Sequence, residues 1–260
     1  MILIYRVLTI IFYPFLIFLT FLRVFSNKED SKRYREKIFT SHFNIKKNKN
    51  HKLIWFHAVS IGELKSITPI IQKLNTQEEE RDFLITTSTF SSSKIADLEL
   101  KNFKNVYHRF LPYDVNFLIK KFLHQWSPSY IFLVDSEIWP NLILGAKEQG
   151  IPISIINARI TKKSFKRWIK FPKTASKIFG SFEICFASSK ESEYFLNKLG
   201  VKKIYNHGNI KFFNNVDLNS ITNLNKKILL ERPFWIAAST HSGEEELCIK
   251  THLLIKEKFN

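Results

Sequence analysis

The stretch Tyr130–Arg159, YIFLVDSEIWPNLILGAKEQGIPISIINAR, constrains the fold of this chain more than any other. Ile131 to Val134 is an unbroken apolar run, the pattern of a strand buried on both faces of a parallel sheet, and it stops where Asp135, Ser136 and Glu137 begin. Pro140 suits the first turn of a helix, where its missing N–H costs nothing. Gly150 and Pro152 end that helix, and Ile153 to Ile156 restarts a buried strand that closes at Asn157 and Arg159. The unit is therefore strand, acidic loop, helix, strand. Its crossover is expected to be right-handed, and its carboxylates sit at a strand's carboxyl end, where open α/β sheets hold ligands.

The same rhythm runs through the chain. Leu53 to Val59, Phe83 to Ser88, Val106 to Leu111, Glu183 to Ala187 and Ile204 to His207 read as further strands. Helices are expected from Ser60 to about Leu74, from Asp114 to Leu123, and from Lys190 to Leu199 before Gly200. Alternation of this kind predicts a doubly wound parallel α/β sheet over residues 28–213. The Asn-rich tract 214–231 reads as a linker, and residues 232–260 as the start of a second domain, with a strand at Phe234 to Ala238 and a helix at Ser242 to Lys258.

Composition narrows the partners. A net charge of +17 invites nucleic acid, but no basic helix, zinc spacing or ribonucleoprotein motif accompanies it. An anionic membrane or a phosphorylated substrate accounts for the charge as well. Cys185 and Cys248 lack metal spacing and read as reduced core thiols. Val7 to Leu22 carries no charge, so residues 1–27 are expected to form a single-pass or monotopic membrane anchor. Lys28, Lys32, Arg33, Arg35 and Lys37 would hold the following chain on the cytoplasmic side. A buried helix of the soluble domain is the alternative.

Ser60-Ile-Gly-Glu63 has the spacing of a capping box, in which Ser accepts from the backbone three residues on and Glu bonds back to the Ser amide. The same glutamate, at a helix start beside a sheet edge, could instead act as a general base, with Gly62 admitting substrate to the backbone. His57 reads as a hydrogen-bonded core histidine. Asp135 and Glu137 lack the partner spacing of a metal site. Ser242 and Glu245 repeat the capping spacing in a turn whose amides and hydroxyls would suit a phosphate. Between Thr161 and Lys177, Lys162, Lys163, Lys166, Arg167, Lys170, Lys173 and Lys177 interleave with Phe165, Trp168, Ile169 and Phe171. That tract would either dock on anionic lipid or form a solvated helix face over buried aromatics.

Five motifs in order, HAVSIGE at 57–63, VDSEIWPN at 134–141, NARITKKS at 157–164, GNIKF at 208–212 and ASTHSGEE at 238–245, resemble the 3-deoxy-D-manno-octulosonic acid (Kdo) transferases of lipid A assembly. The resemblance implies a GT-B glycosyltransferase of two Rossmann-like domains. It would move Kdo from CMP-Kdo to lipid IV-A, inverting the anomeric centre, at the cytoplasmic face of the inner membrane, with no cofactor and no bound metal. Glu63 would be the base for the acceptor hydroxyl. Ser60, Gly62, Asp135, Glu137, Asn157, Arg159 and Lys211 would line the substrate cleft. Ser239, Thr240, Ser242, Gly243 and Glu244 would meet the donor phosphate. The family's second domain is expected to continue well past residue 260; a non-catalytic, acceptor-binding remnant is the alternative.

Overall fold

Seven strands pair in parallel in the order β3-β2-β1-β4-β5-β6-β7 in a computed structural model that describes residues 1–43, 50–76, 80–213 and 234–259. They are β1 (Lys52–His57), β2 (Arg81–Thr87), β3 (Val106–Phe110), β4 (Tyr130–Val134), β5 (Ile153–Ala158), β6 (Cys185–Ala187) and β7 (Ile204–Asn206). The order reverses between β1 and β4, which lie side by side with His57 opposite Leu133. A crevice at such a switch point is where open parallel sheets bind their ligands.

Side chains alternate across the pleat, so each strand feeds two cores. On one face Leu53, Trp55, Leu84, Ile131, Leu133, Ile153 and Ile155 pack with α5 (Asn116–Trp126), α6 (Pro140–Glu148) and α8 (Pro172–Phe179). On the other, Phe56, Phe83, Ile85 and Val134 meet Leu64, Ile67 and Ile71 of α3 (Ile61–Asn75) and Ala96 of α4 (Phe90–Glu99). The Ser-rich turn after β2 therefore opens a helix that the sequence reading missed. Thr89 caps it by accepting from the Ser92 amide at 3.2 Å, and the Ser92 hydroxyl donates to Val59 O at 2.8 Å.

The amino-terminal apolar run forms two helices, α1 (Ile2–Ile11) and α2 (Tyr13–Phe25), bent by 51°. Pro14, in the first turn of α2, has no N–H to continue the α1 ladder. Among the described residues no single helix is long and apolar enough to cross a membrane; the expected single-pass or monotopic anchor corresponds to a bent pair whose combined length and composition would suit a broken span. Its polar side chains are tied to the sheet domain: Tyr5 donates to Asp114 at 2.8 Å, Tyr13 donates to Ile38 O, and Thr20 bonds Tyr113 at 2.7 Å. Meanwhile Leu3, Phe12, Phe15, Phe18 and Phe25 stay exposed.

The basic tract splits at Phe171-Pro172 into α7 (Lys162–Trp168) and α8. Phe165 stacks on Phe195 of α9 (Lys190–Leu199) and Trp168 packs edge-on against Phe179, so these half-buried aromatics pack against the core. Ile169 and Phe171 face outward among the exposed lysines.

The chain divides into two units, Met1–Asn214 and Asn215–Asn260. In the second, α10 (Glu244–Phe259) is the one described helix, and residues 234–238 form no strand. A strand requires a partner to take its backbone hydrogen bonds, and none is described in this unit. The expected linker at 214–231 lies outside the described residues, as does most of the loop expected at 44–52. Cys185 is a free, fully buried thiol whose pKa burial raises, whereas Cys248 is half-buried on α10 and is not a core residue.

Candidate active site at the switch point

The carboxyl ends of β1, β4 and β5 bring the sequence candidates together. Ser60 caps α3, accepting from the Glu63 amide at 3.2 Å. The Glu63 carboxylate turns back, as the spacing predicts, but to different donors: the Val59 amide and the Ser60 hydroxyl, each at 2.8 Å, instead of the Ser60 amide. It is buried, at 8% exposure, with both oxygens engaged. A Cβ built on Gly62 would meet nothing within 4 Å and its φ is not positive, so neither packing nor backbone demands glycine there.

Across the switch point, Asp135, just past β4, and Asn157, next to last in β5, are in the left-handed region, at φ 65° and 57°. Strained non-glycine residues of this kind cost energy and collect at functional sites. Local bonds hold both: the Asp135 amide donates to Ile156 O at 2.9 Å, and Asn157 Oδ1 accepts from the Ile210 amide at 3.2 Å. Lys211 pairs with Asp135 at 2.7 Å. Asp135, Asn157, Arg159 and Lys211 line a cavity of about 330 Å³ with the Ser188-Ser189 start of α9. Arg159 itself is exposed, and its carbonyl accepts from Ser136 at 3.0 Å.

The site perturbs the ionisation of Glu137 and of His57. Burial pushes the Glu137 carboxyl up to about 7, the neighbouring Glu63 and Asp135 charges push the same way, and the Trp139 indole opposes them. That indole N–H is buried yet completes no hydrogen bond of normal geometry. Facing Glu137 is His57, 0% exposed, its Nε2 3.9 Å from the carboxylate. Burial lowers the imidazole to about 4, so it is neutral at physiological pH. The two carboxyl groups thus have different surroundings: both oxygens of Glu63 are engaged by donors, and Glu137 is buried and short of them.

The loop carrying Glu137 is held by a third carboxylate. Asp114, 93% hidden from solvent, accepts from the Asn141 and Leu142 amides at 2.9 Å each, capping α6. Tyr5 of α1 donates to the same carboxylate, which connects the amino-terminal helices to the loop.

A family model described as 3-Deoxy-D-manno-octulosonic-acid transferase (kdotransferase) matches residues 32–214. The chain belongs to that family. A 3-deoxy-D-manno-octulosonic acid transferase of Rickettsia prowazekii is 31% identical over 301 aligned residues, covering 100% of this chain and 64% of the relative. A probable mitochondrial 3-deoxy-D-manno-octulosonic acid transferase of Arabidopsis thaliana is 34% identical, covering 79% of this chain and 47% of the relative. The chain thus spans about half to two thirds of the length of these curated relatives. Among solved structures, an S. aureus MnaA-UDP co-structure aligns at a TM-score of 0.49 and 16% identity, over 68% of this chain and 51% of that one.

In this Kdo transferase family member the five sequence motifs divide between the two units. Ser60, Gly62, Glu63, Asp135, Glu137, Asn157, Arg159 and Lys211 all belong to the sheet unit. Ser239, Thr240, Ser242, Gly243 and Glu244 form a turn in the other, with Ser239 and Gly243 at positive φ. The expected Ser242–Glu245 box is not formed there. Thr240 donates instead to Glu245 and the His241 amide to Glu244, both at 2.8 Å. Sequence reasoning passed over the active-site edge of His57, and over Trp139 and Asp114. The signals available were polar or amphipathic residues at the ends of otherwise apolar runs, which a core role explains equally well.

Proposed function

We propose that this chain is the acceptor-binding part of a GT-B glycosyltransferase. The enzyme would transfer Kdo from CMP-Kdo to lipid IV-A, with inversion, in lipopolysaccharide core assembly at the cytoplasmic face of the inner membrane. One observation carries the reading beyond family membership: Trp139, beside Glu137, also lines an apolar groove of about 340 Å³ with Met1, Ile2, Tyr5, Ile138 and Trp168. A polar site next to an apolar groove at the base of the amino-terminal helices suits an acceptor with a sugar end and acyl tails. The exposed apolar side chains of α1 and α2, with the lysines around Ile169 and Phe171, supply apolar and cationic contacts to an anionic bilayer.

Within this reading Glu63 is the base for the acceptor hydroxyl. Gly62 leaves the approach to it open, and Asp135, Glu137, Asn157, Arg159 and Lys211 bind the sugar end. Donor-phosphate contacts fall to the 239–244 turn. Incubation of the complete enzyme that contains this chain with CMP-Kdo and lipid IV-A in mixed micelles, read by mass spectrometry, tests the proposal. Addition of Kdo is the expected result for the enzyme. Saturable lipid IV-A binding without transfer would leave the non-catalytic acceptor-binding role, and absence of both would overturn the reading.

A further inference from the structure

His57 looks at first like a core residue with nothing left to explain. It sits at the end of β1, wholly buried, between Thr86 of β2 and Leu133 of β4. Yet its Nε2 has no hydrogen-bond partner among the described residues and is directed at the Glu137 carboxylate 3.9 Å away. A buried polar atom left unpaired is destabilising, so native structures rarely leave one without a partner. The distance is too long for a hydrogen bond, but Glu137 lies on a loop with a side chain 19% exposed, and contacts of this kind tighten when substrate closes a site.

The other ring nitrogen has an unusual partner. Thr86 offers His57 Nδ1 both its hydroxyl, at 2.9 Å, and its carbonyl, at 3.2 Å. The same hydroxyl oxygen accepts from Trp55 Nε1 at 2.8 Å, which leaves its hydrogen for His57. When Nδ1 accepts that hydrogen, the ring proton is on Nε2; when Nδ1 carries the proton, it donates to the carbonyl and Nε2 presents a lone pair. Both neutral tautomers are therefore satisfied on the buried side.

We propose that His57 is a positioning residue for Glu137: it donates from Nε2 to the ionised carboxylate in one tautomer and accepts from the carboxylic acid in the other. The groups facing Glu137 are His57 from β1, Glu63 from α3, the Trp139 indole, and Asp135, whose charge is already paired with Lys211. His57 is the one able to reverse its hydrogen-bonding sense. In both protonation states Glu137 then keeps its second oxygen free to accept from a substrate hydroxyl while the imidazole adds no charge to the site. Only this last consequence rests on the transfer reading; the pair itself does not.

Nitrogen NMR of the histidine-labelled 260-residue chain tests it, because Nδ1 and Nε2 shifts report tautomer and charge separately. The His57 resonances are expected to stay in the neutral range from about pH 6 to pH 8.5, above the protonation range of this buried ring, with an inflection near pH 7 as the tautomer balance follows Glu137. In Glu137→Gln, a change on a loop that leaves the core untouched, that inflection should vanish. An inflection that persists in the variant, formation of imidazolium in this interval, or pH-independent His57 shifts in the parent chain would each overturn the proposal. Failure of sugar transfer would leave this result unaffected, so the two readings fail separately.

Discussion

Replacing Glu137 with glutamine should stabilise the sheet unit, and only above acid pH. The folded carboxyl titrates at about 7 against 4.5 when unperturbed, chiefly through burial. Below pH 4.5 both folded and unfolded chains hold the proton, and the group contributes no pH dependence. Between 4.5 and 7 the unfolded chain ionises while the folded one keeps its proton, so folding becomes less favourable by about 1.36 kcal/mol per pH unit. Above 7 the penalty levels off at about 3 kcal/mol, trimmed toward about 2 by the solvent that reaches the side chain. Glu137→Gln has no such penalty. Urea denaturation followed by circular dichroism at pH 4, 5, 6, 7 and 8 should show parent and variant converging at the acid end, with the variant ahead by about 2–3 kcal/mol at pH 8. A pH-independent difference, or a parent chain that gains on the variant as pH rises, would refute the reasoning. The cost of an ionisable group held here is the kind of stability that functional sites forfeit.

Glu63→Gln retains an acceptor oxygen for the Val59 amide, so folding should change by less than about 1 kcal/mol while transfer in the complete enzyme falls by about 10² or more; near-normal turnover with both substrates saturating would reject Glu63 as base. Asp114→Ala strips the partners from two α6 amides and from Tyr5, and should cost about 3 kcal/mol in urea denaturation, with a loss below about 1 kcal/mol counting against the network. Removing residues 1–25 should weaken partition into vesicles yet leave salt-sensitive binding to anionic ones through the 162–177 lysines. Equal binding of that truncated protein to neutral and anionic vesicles in flotation assays would eliminate the basic docking surface.

The parallel sheet could be read directly from the chain because its signals are local. Ile131 to Val134 and Ile153 to Ile156 are continuous apolar runs, each bounded by polar or helix-ending residues, and side chains buried on both faces leave no other economical arrangement. The capping of α3 was equally local, since Ser60 and Glu63 are three residues apart, although the carboxylate chose the Val59 amide and the Ser60 hydroxyl. Where spacing failed, the deciding partner was distant or missing. Phe234 to Ala238 has strand composition but no described neighbour to complete a ladder, and the apolar amino terminus is broken at Pro14 and fastened to Asp114, Ile38 and Tyr113. The character of the acidic pair also depended on tertiary structure. Glu63 and Glu137 are 74 positions apart in sequence, and nothing in either motif says which carboxyl is saturated with donors and which is desolvated. That difference arises because the sheet reverses its order between β1 and β4, setting a buried imidazole and a second negative charge beside Glu137. Charge and desolvation act through space, and only the folded chain sets those distances.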